Sequence, residues 1–320
     1  MSANLPLFND LPYYGINAGI STSLGTLVPP GSKIVAYVRS TGVQTGDPQF
    51  IFDRLVTTLQ AGLNECRSGM GDIVVVLPGH TETVTSTSFT PVIGARVIGM
   101  GDINRDDAPT FTWSSAAATW AITAKNMEFR GLRLLMDNFN GVTAPINITA
   151  SGVRFVGNYM RWSSGASLLA TTAVTVGSGA TDCVIAGNEI YGVAAGVCTD
   201  GIKLLGATTP DRCKIVNNFM HAAATAANGL INVTVAAIGL VIRGNYIENM
   251  TASSSVGILT GAVACDGTCA DNYITIKNTG TLTSGTVGIK IGAGTLMGFF
   301  NNYGVNDPVK SGLLLPSVDS

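Results

Sequence analysis

An asparagine returns at Asn158, Asn188, Asn218, Asn245, Asn272 and Asn302, at intervals of 30, 30, 27, 27 and 30 residues, and its neighbours return with it. Three places before it stand Phe155, Ile185, Ile215, Ile242, Cys269 and Phe299, and two places after it Met160, Ile190, Met220, Ile247, Ile274 and Gly304, so both columns are largely apolar. Immediately before it come Gly157, Gly187, Asn217, Gly244, Asp271 and Asn301, residues that tolerate a left-handed backbone. Each repeat therefore reads as a strand, a sharp bend and a second strand. Short strands at this period, with no helical pattern, imply a coiled solenoid in which each turn of chain stacks on the last. Equivalent residues then lie one strand spacing apart, roughly 4.8 Å. The asparagines are expected to form a ladder, each amide donating to the carbonyl of the next, because a buried amide without partners is costly.

The composition suits such a coil, with 46% apolar residues, 12% charged residues and 39 glycines. A large core can be buried, while few charges remain for the surface. A net charge of −2 argues against a nucleic-acid partner bound through phosphate neutralisation. Met1 to Asp10 has no basic stretch followed by an apolar core, and no apolar run approaches the length of a membrane span, so neither a leader nor a span is expected. Cys183 and Cys213 share a column five places before the asparagine, and Cys269 falls in the apolar column three before it. They read as small buried hydrophobes. Cys265 and Cys269 are spaced CxxxC, and with only His80 and His221 as histidines no familiar zinc set can be assembled.

Four segments are expected. Residues 1–45, with Pro6, Pro12, Pro29, Pro30 and one strand at Lys33 to Val38, read as an extended N-terminal arm. Residues 46–72 read as one capping α-helix, with Asp47 as N-cap, Pro48 at the first helical position and Phe52, Leu55, Val56, Leu59 and Leu63 on one face. Its apolar face would close the open end of the solenoid. Residues 73–304 form the coils, opening on the apolar run Ile73 to Leu77. An early coil carries Met127, Phe129, Gly131 and Leu134 in the repeat positions, with Leu132 where the asparagine would stand. A second column, Gly201, Gly229, Gly257 and Gly288, precedes the apolar residues Ile202, Leu230, Ile258 and Ile289. Residues 305–320 read as a docking tail with an apolar Leu313-Leu314-Leu315 patch.

Arm, cap, buried strand and coils with an asparagine ladder together resemble, over residues 47–304, the right-handed parallel β-helix of the pectin-lyase-like superfamily. The resemblance implies an all-β protein with an N-terminal capping helix and extended ends. The stretch from Gly71-Asp72 through Leu77 to Val84 (LPGHTETV), then Gly94 to Gly101 (GARVIGMG) and Pro109-Thr110-Phe111-Thr112, also resembles β-helical proteins of tailed-bacteriophage virions. That second resemblance implies a decoration or cement protein on the capsid surface, made in the host cytoplasm. Its partner would be the major capsid protein, and self-association as a homotrimer is expected. The alternative is a tail spike or fibre that binds or cleaves host polysaccharide; a free carbohydrate-active enzyme is the third reading.

The superfamily's galacturonan hydrolases carry NTDG, paired-aspartate, GHG and RIK segments, and only Cys198-Thr199-Asp200-Gly201 resembles the first of these. Asp200-Gly201 matches Asn228-Gly229 in the repeat and reads as a bend before a strand. His80 stands in a Pro-Gly-His turn near the capped end. Glycoside cleavage needs two carboxylates about 5 to 10 Å apart, whereas Asp182, Glu189, Asp200, Asp211, Glu248, Asp266 and Asp271 are thinly spread, with Asp182 and Asp211 at turns. No acid cluster suits calcium. The expectation is no catalytic residues, no cofactor and no metal. One outward column follows the asparagines, namely Tyr159, Glu189, Phe219, Tyr246, Tyr273 and Tyr303. Its aromatic members, Tyr159, Phe219, Tyr246, Tyr273 and Tyr303, are the candidate contact stripe, open at this stage to strand-stabilising stacking, a subunit or capsid contact, or sugar binding.

Overall fold

The computed structural model describes residues 32–318 apart from 87–88, 104–105, 140, 166–167, 193–198, 208, 223–228, 250–255, 262–263, 277–286, 293–294, 307–309 and 314–316. Most of the arm and Cys198 lie outside the described residues. The chain winds as a parallel β-helix with three faces, built on sheets of 11, 8 and 11 strands. Every coil-to-coil pairing is parallel, and each strand meets the equivalent strand of the next coil. The first sheet carries the Phe155 column in register from Phe129 through Phe155, Ile185, Ile215, Ile242 and Cys269 to Phe299. These side chains point inward and form one continuous core with Met160, Ile190, Met220, Ile247 and Ile274 from the second sheet.

Between those two sheets lies the bend. Its leading residue takes positive φ in every repeat: Gly157, Gly187, Asn217, Gly244, Asp271 and Asn301. The turned backbone aims the following asparagine into the interior, where all six are at most 1% exposed. Each of the first five donates from Nδ2 to Oδ1 of the asparagine one coil on, at 3.1, 3.0, 3.0, 2.9 and 2.9 Å from Asn158 to Asn302. The same Oδ1 atoms accept from the backbone N–H of the preceding asparagine, and the second Nδ2 proton goes to a carbonyl such as that of Phe155 or Ile185. At the lower end, the Leu132 N–H donates to Asn158 Oδ1 at 3.1 Å, so the backbone bond of the ladder is kept where Leu132 has no side-chain amide to add.

The glycine column serves the third sheet. A Cβ on Gly201 would lie 2.8 Å from the Leu230 carbonyl oxygen, and one on Gly257 2.8 Å from that of Gly288. Neighbouring coils approach there too closely for any side chain.

The N-terminal end departs from the expected single helix. β1 (Ile34–Val38) is hydrogen-bonded into the first sheet, followed by α1 (Gln49–Phe52), β2 (Leu55–Val56), α2 (Leu59–Asn64) and β3 (Ile73–Val76). β2 pairs with Tyr37 and Val38 of β1, and β1 pairs with β3. Ladder bonds to a waiting sheet edge outweigh the helical spacing of Leu55 and Val56, and Phe52 is left 43% exposed. Pro48, not Asp47, is the N-cap of α1; the Asp47 carboxylate binds the Arg39 guanidinium instead. The capping role falls to α2, whose N-cap Thr58 accepts from the Ala61 N–H at 3.2 Å and whose Leu59 and Leu63 enter the core beside Val38, Val74 and Val76. The arm boundary at residue 45 therefore falls inside the folded unit, and so does the start of the coils at 73.

The C-terminal segment also differs from an extended tail. Lys310–Leu313 folds back antiparallel on Tyr303–Asn306, and Ser317–Val318 adds to Lys290–Ile291. The second and third sheets are thus closed by the chain's own end. Leu314 and Leu315 lie outside the described residues. Among the described residues no helix is long and apolar enough to cross a membrane.

Two outcomes are expected. Asn218→Ala leaves its neighbours' amide, N–H and carbonyl partners unmet and should lower unfolding free energy by about 1–3 kcal/mol. Asn302→Ala should cost less, since Asn302 has no asparagine beyond it; equal losses in chemical denaturation would contradict the ladder's cooperative role. The second concerns Asp72, whose buried carboxylate receives the Arg67 guanidinium at 2.7 and 2.9 Å, the Arg67 N–H and the Lys33 N–H. The Arg67 hydrogen bond holds its pKa below the usual carboxylate value. Because the folded value lies below the unfolded one, this stabilisation is complete above the unfolded pKa of about 3.9 and is lost as pH falls through the folded value. Asp72→Asn should lower the melting temperature at neutral pH, and the gap from the parent should close under acid.

Candidate functional site

The outer face of the second sheet gathers the side chains with the most surface chemistry. Its register sets one column, Arg133, Tyr159, Glu189, Phe219, Tyr246, Tyr273 and Tyr303, along the rod. Beside it runs a second column, Arg161, Tyr191, His221 and Glu248. Sequence reading overlooked this second column. The signal was available three places after the ladder asparagines, at the same period.

The candidate stripe divides into three parts. Phe219, Tyr246 and Tyr273 form a stack, with centroids 5.2 and 4.9 Å apart and ring planes tilted by 11° and 14°. Tyr159 lies below Glu189, with the Arg133 guanidinium 5.9 Å from its ring centroid. Tyr303 is at the upper end and 53% exposed. Stacked coils space the rings at a distance that suits face-to-face offset contact, so each ring stands on edge and turns its rim to solvent. The ring faces that a sugar would need are occupied by neighbouring rings within the stack.

The second column is polar and internally paired. His221 Nδ1 lies in short hydrogen-bonding contact with the Glu248 carboxylate, the Tyr246 hydroxyl donates to Glu248 at 3.0 Å, and the His221 ring lies parallel to Tyr191 at 5.1 Å. Arg161 donates to the buried Asp137 at 2.7 Å, and Arg133 reaches Asp106 at 3.3 Å. Burial raises the Tyr246 hydroxyl pKa, with Glu248 adding to the rise, and burial alone raises the Glu189 carboxyl. This arrangement turns aromatic rims outward beside a column of charged and polar groups that are paired with their neighbours.

The other singled-out residues serve the scaffold. His80 is buried: its Nδ1 accepts from the Ser40 N–H at 3.1 Å and its Nε2 faces Glu82 at 3.2 Å, while Glu82 accepts from the first N–H of α2. Cys183, Cys213, Cys265 and Cys269 are buried free thiols. Burial pushes Cys269 up to about 12, which keeps it a thiol. Asp182 pairs with Arg212 across one coil at 2.7 Å. Asp200 is not a bend residue: it opens the strand Asp200–Leu204, is fully buried and binds Lys203 at 3.1 Å. Among the described residues no group of three or more His, Cys, Asp or Glu is placed to hold a metal ion.

Fold and flank together define a parallel β-helix with one aromatic-ribbed face. No protein-family model matches the chain, and no curated protein matches it. Among solved structures it is similar to ORF18 of Geobacillus virus E2, with a TM-score of 0.40 and 10% identity over 92% of this chain and 65% of that one. The chain thus spans less than two thirds of that protein's length.

Tyr246, held between two rings, should tolerate truncation poorly. Each stacked pair contributes about 0.5–1.5 kcal/mol beyond burial, so Tyr246→Ala should lower the melting temperature clearly. Tyr303→Ala should leave it nearly unchanged, and thermal denaturation of the two variants checks the difference.

Proposed function

We propose that the chain is a structural protein of a tailed-phage virion, a decoration or cement protein bound to the capsid surface. The observation that carries this reading is the second sheet's outer face, where aromatic faces and charged groups are engaged with one another and the free rims suit a flat protein contact. The sequence resemblance at residues 71–84, 94–101 and 109–112 supports the phage assignment. In this reading the major capsid protein is the partner, residues 1–31 help grip the shell, and the rods associate as a homotrimer, which multiplies weak contacts by avidity. The protein acts without catalysis, cofactor or metal.

The tail-spike reading has one observation in its favour, the cluster of His221, Tyr246 and Glu248, which places an acid beside a base. Both readings meet the same experiment. Capsids assembled without the protein are mixed with the full chain, with a chain lacking residues 1–31, and with Tyr273→Ala/Tyr303→Ala. The full chain should bind, and the truncated chain should stay folded but bind at least tenfold more weakly. Failure of the full chain to bind capsids, with release of reducing ends from host polysaccharide that Glu248→Gln abolishes, would replace decoration by the spike reading.

A further inference from the structure

The third sheet holds a buried constellation that neither the ladder nor the aromatic flank uses. Lys203 and Asn232 are register partners on adjacent parallel strands, Asp200–Leu204 and Gly229–Val233. Asp200 lies between their functional groups. Its Oδ2 is 3.1 Å from Lys203 Nζ, and its Oδ1 accepts from Asn232 Nδ2 at 2.5 Å. Thr199 Oγ1 at 2.8 Å and Thr172 Oγ1 at 3.4 Å complete the carboxylate's shell. Asp200 is fully buried, Asn232 is 1% exposed, and the Lys203 side chain is 26% exposed. Ile202, Leu204, Ile231 and Val233 bury the same two strands from the core side. Gly201 permits the close approach, since a Cβ there would strike the Leu230 carbonyl.

A second observation sets this asparagine apart from those of the ladder. Asn232 Oδ1 is buried and has no hydrogen-bond partner. Hydrogen bonding alone therefore does not account for a carboxamide at this place, where an unmet acceptor is unfavourable. What the place does supply is a primary amine, a carboxamide and a carboxylate touching both, in a largely dry setting.

We propose that Lys203 and Asn232 are joined by an intramolecular isopeptide bond formed by the protein itself, with Asp200 as the acid-base group. The Asp200 carboxylate takes a proton from the Lys203 ammonium, and the freed amine attacks Asn232 Cγ. The new bond is Nζ–Cγ, and the bond that breaks is Cγ–Nδ2. Asp200 returns its proton to the departing nitrogen, which also takes one of the two protons left on Nζ and leaves as ammonium, while the other remains as the N–H of the new amide and the carboxylate is restored. Lysine ammonium and asparagine amide become a secondary amide and ammonium, so atoms and charge balance and no oxidant or other reactant is needed. Register pairing sets the two residues side by side on adjacent strands and both side chains bind the one Asp200 carboxylate, which replaces an encounter in solution by a high effective concentration. The product ties one coil to the next, and like any cross-link it restricts the unfolded chain.

The test is the intact mass of the full-length chain under denaturing conditions. The parent should be lighter than its sequence mass by one ammonia, and a protease digest should contain a branched peptide joining Lys203 to Asn232. Lys203→Arg keeps a cation beside Asp200 and preserves the folded strand, but it should restore the full sequence mass; Asp200→Asn should do the same. A parent at full sequence mass would overturn the proposal. So would an ammonia loss that persists in Lys203→Arg, since that would locate the loss at some other asparagine.

Discussion

The buried amide is the constraint on which this rod depends. A carboxamide in an apolar interior must meet both its protons and its oxygen, and one side chain cannot satisfy itself. Here Asn188 is met by Asn158 on one side and Asn218 on the other, with backbone groups taking the remaining positions. Every asparagine is therefore useful only if the next coil repeats it in register. That requirement fixes the coil length to within three residues, places a left-handed residue before each asparagine, and aligns the apolar columns on both sides. A coil that slipped by one residue would turn its core column outward and leave several ladder atoms unmet together.

The same register that serves the interior dictates what the exterior can do. Residues one place after the asparagine are stacked at the strand spacing, so aromatic side chains in that column meet face to face whether or not a partner exists. Phe219, Tyr246 and Tyr273 do so, and Glu189 interrupts the column between Phe219 and Tyr159. An outward aromatic stripe on a β-helix is thus a stiff rib that presents ring edges beside neighbouring charges such as Arg161 and Glu248.

The parts legible in the sequence were those that the period repeats. The ladder positions, the positive-φ residues before them and the inward columns each recur six times, so chance agreement is excluded by redundancy. Single-copy features were read from local propensity and fared worse. Leu55 and Val56 fit a helical face, yet the open edge of β1 captured them as a strand, an interaction with residues some twenty places away that local spacing does not encode. The segment after residue 304 reads as extended, and it folds back because the last coil offers it unpaired strand edges. Asp200 beside Gly201 has the composition of a turn; only the register with Thr172 and the contact to Lys203 reveal a strand position. The column of Arg161, Tyr191, His221 and Glu248 was periodic but chemically mixed, and a search for repeated residue types passes over it.

Asn218 and Asn232 have the same side chain and the same burial, and they differ in what surrounds the carboxamide. Asn218 touches only other amides and backbone groups, none of which is a nucleophile, and its hydrogen bonds are complete. Such an amide is chemically inert and its contribution is to register. Asn232 faces an amine-bearing neighbour through a shared carboxylate, and its oxygen is unmet. A repeat architecture makes this contrast possible because it supplies many equivalent buried positions at which a single substitution changes the neighbours without changing the backbone. The ladder holds coils together by many weak bonds that depend on the rod being folded. A covalent tie between two of the same coils would hold regardless of folding.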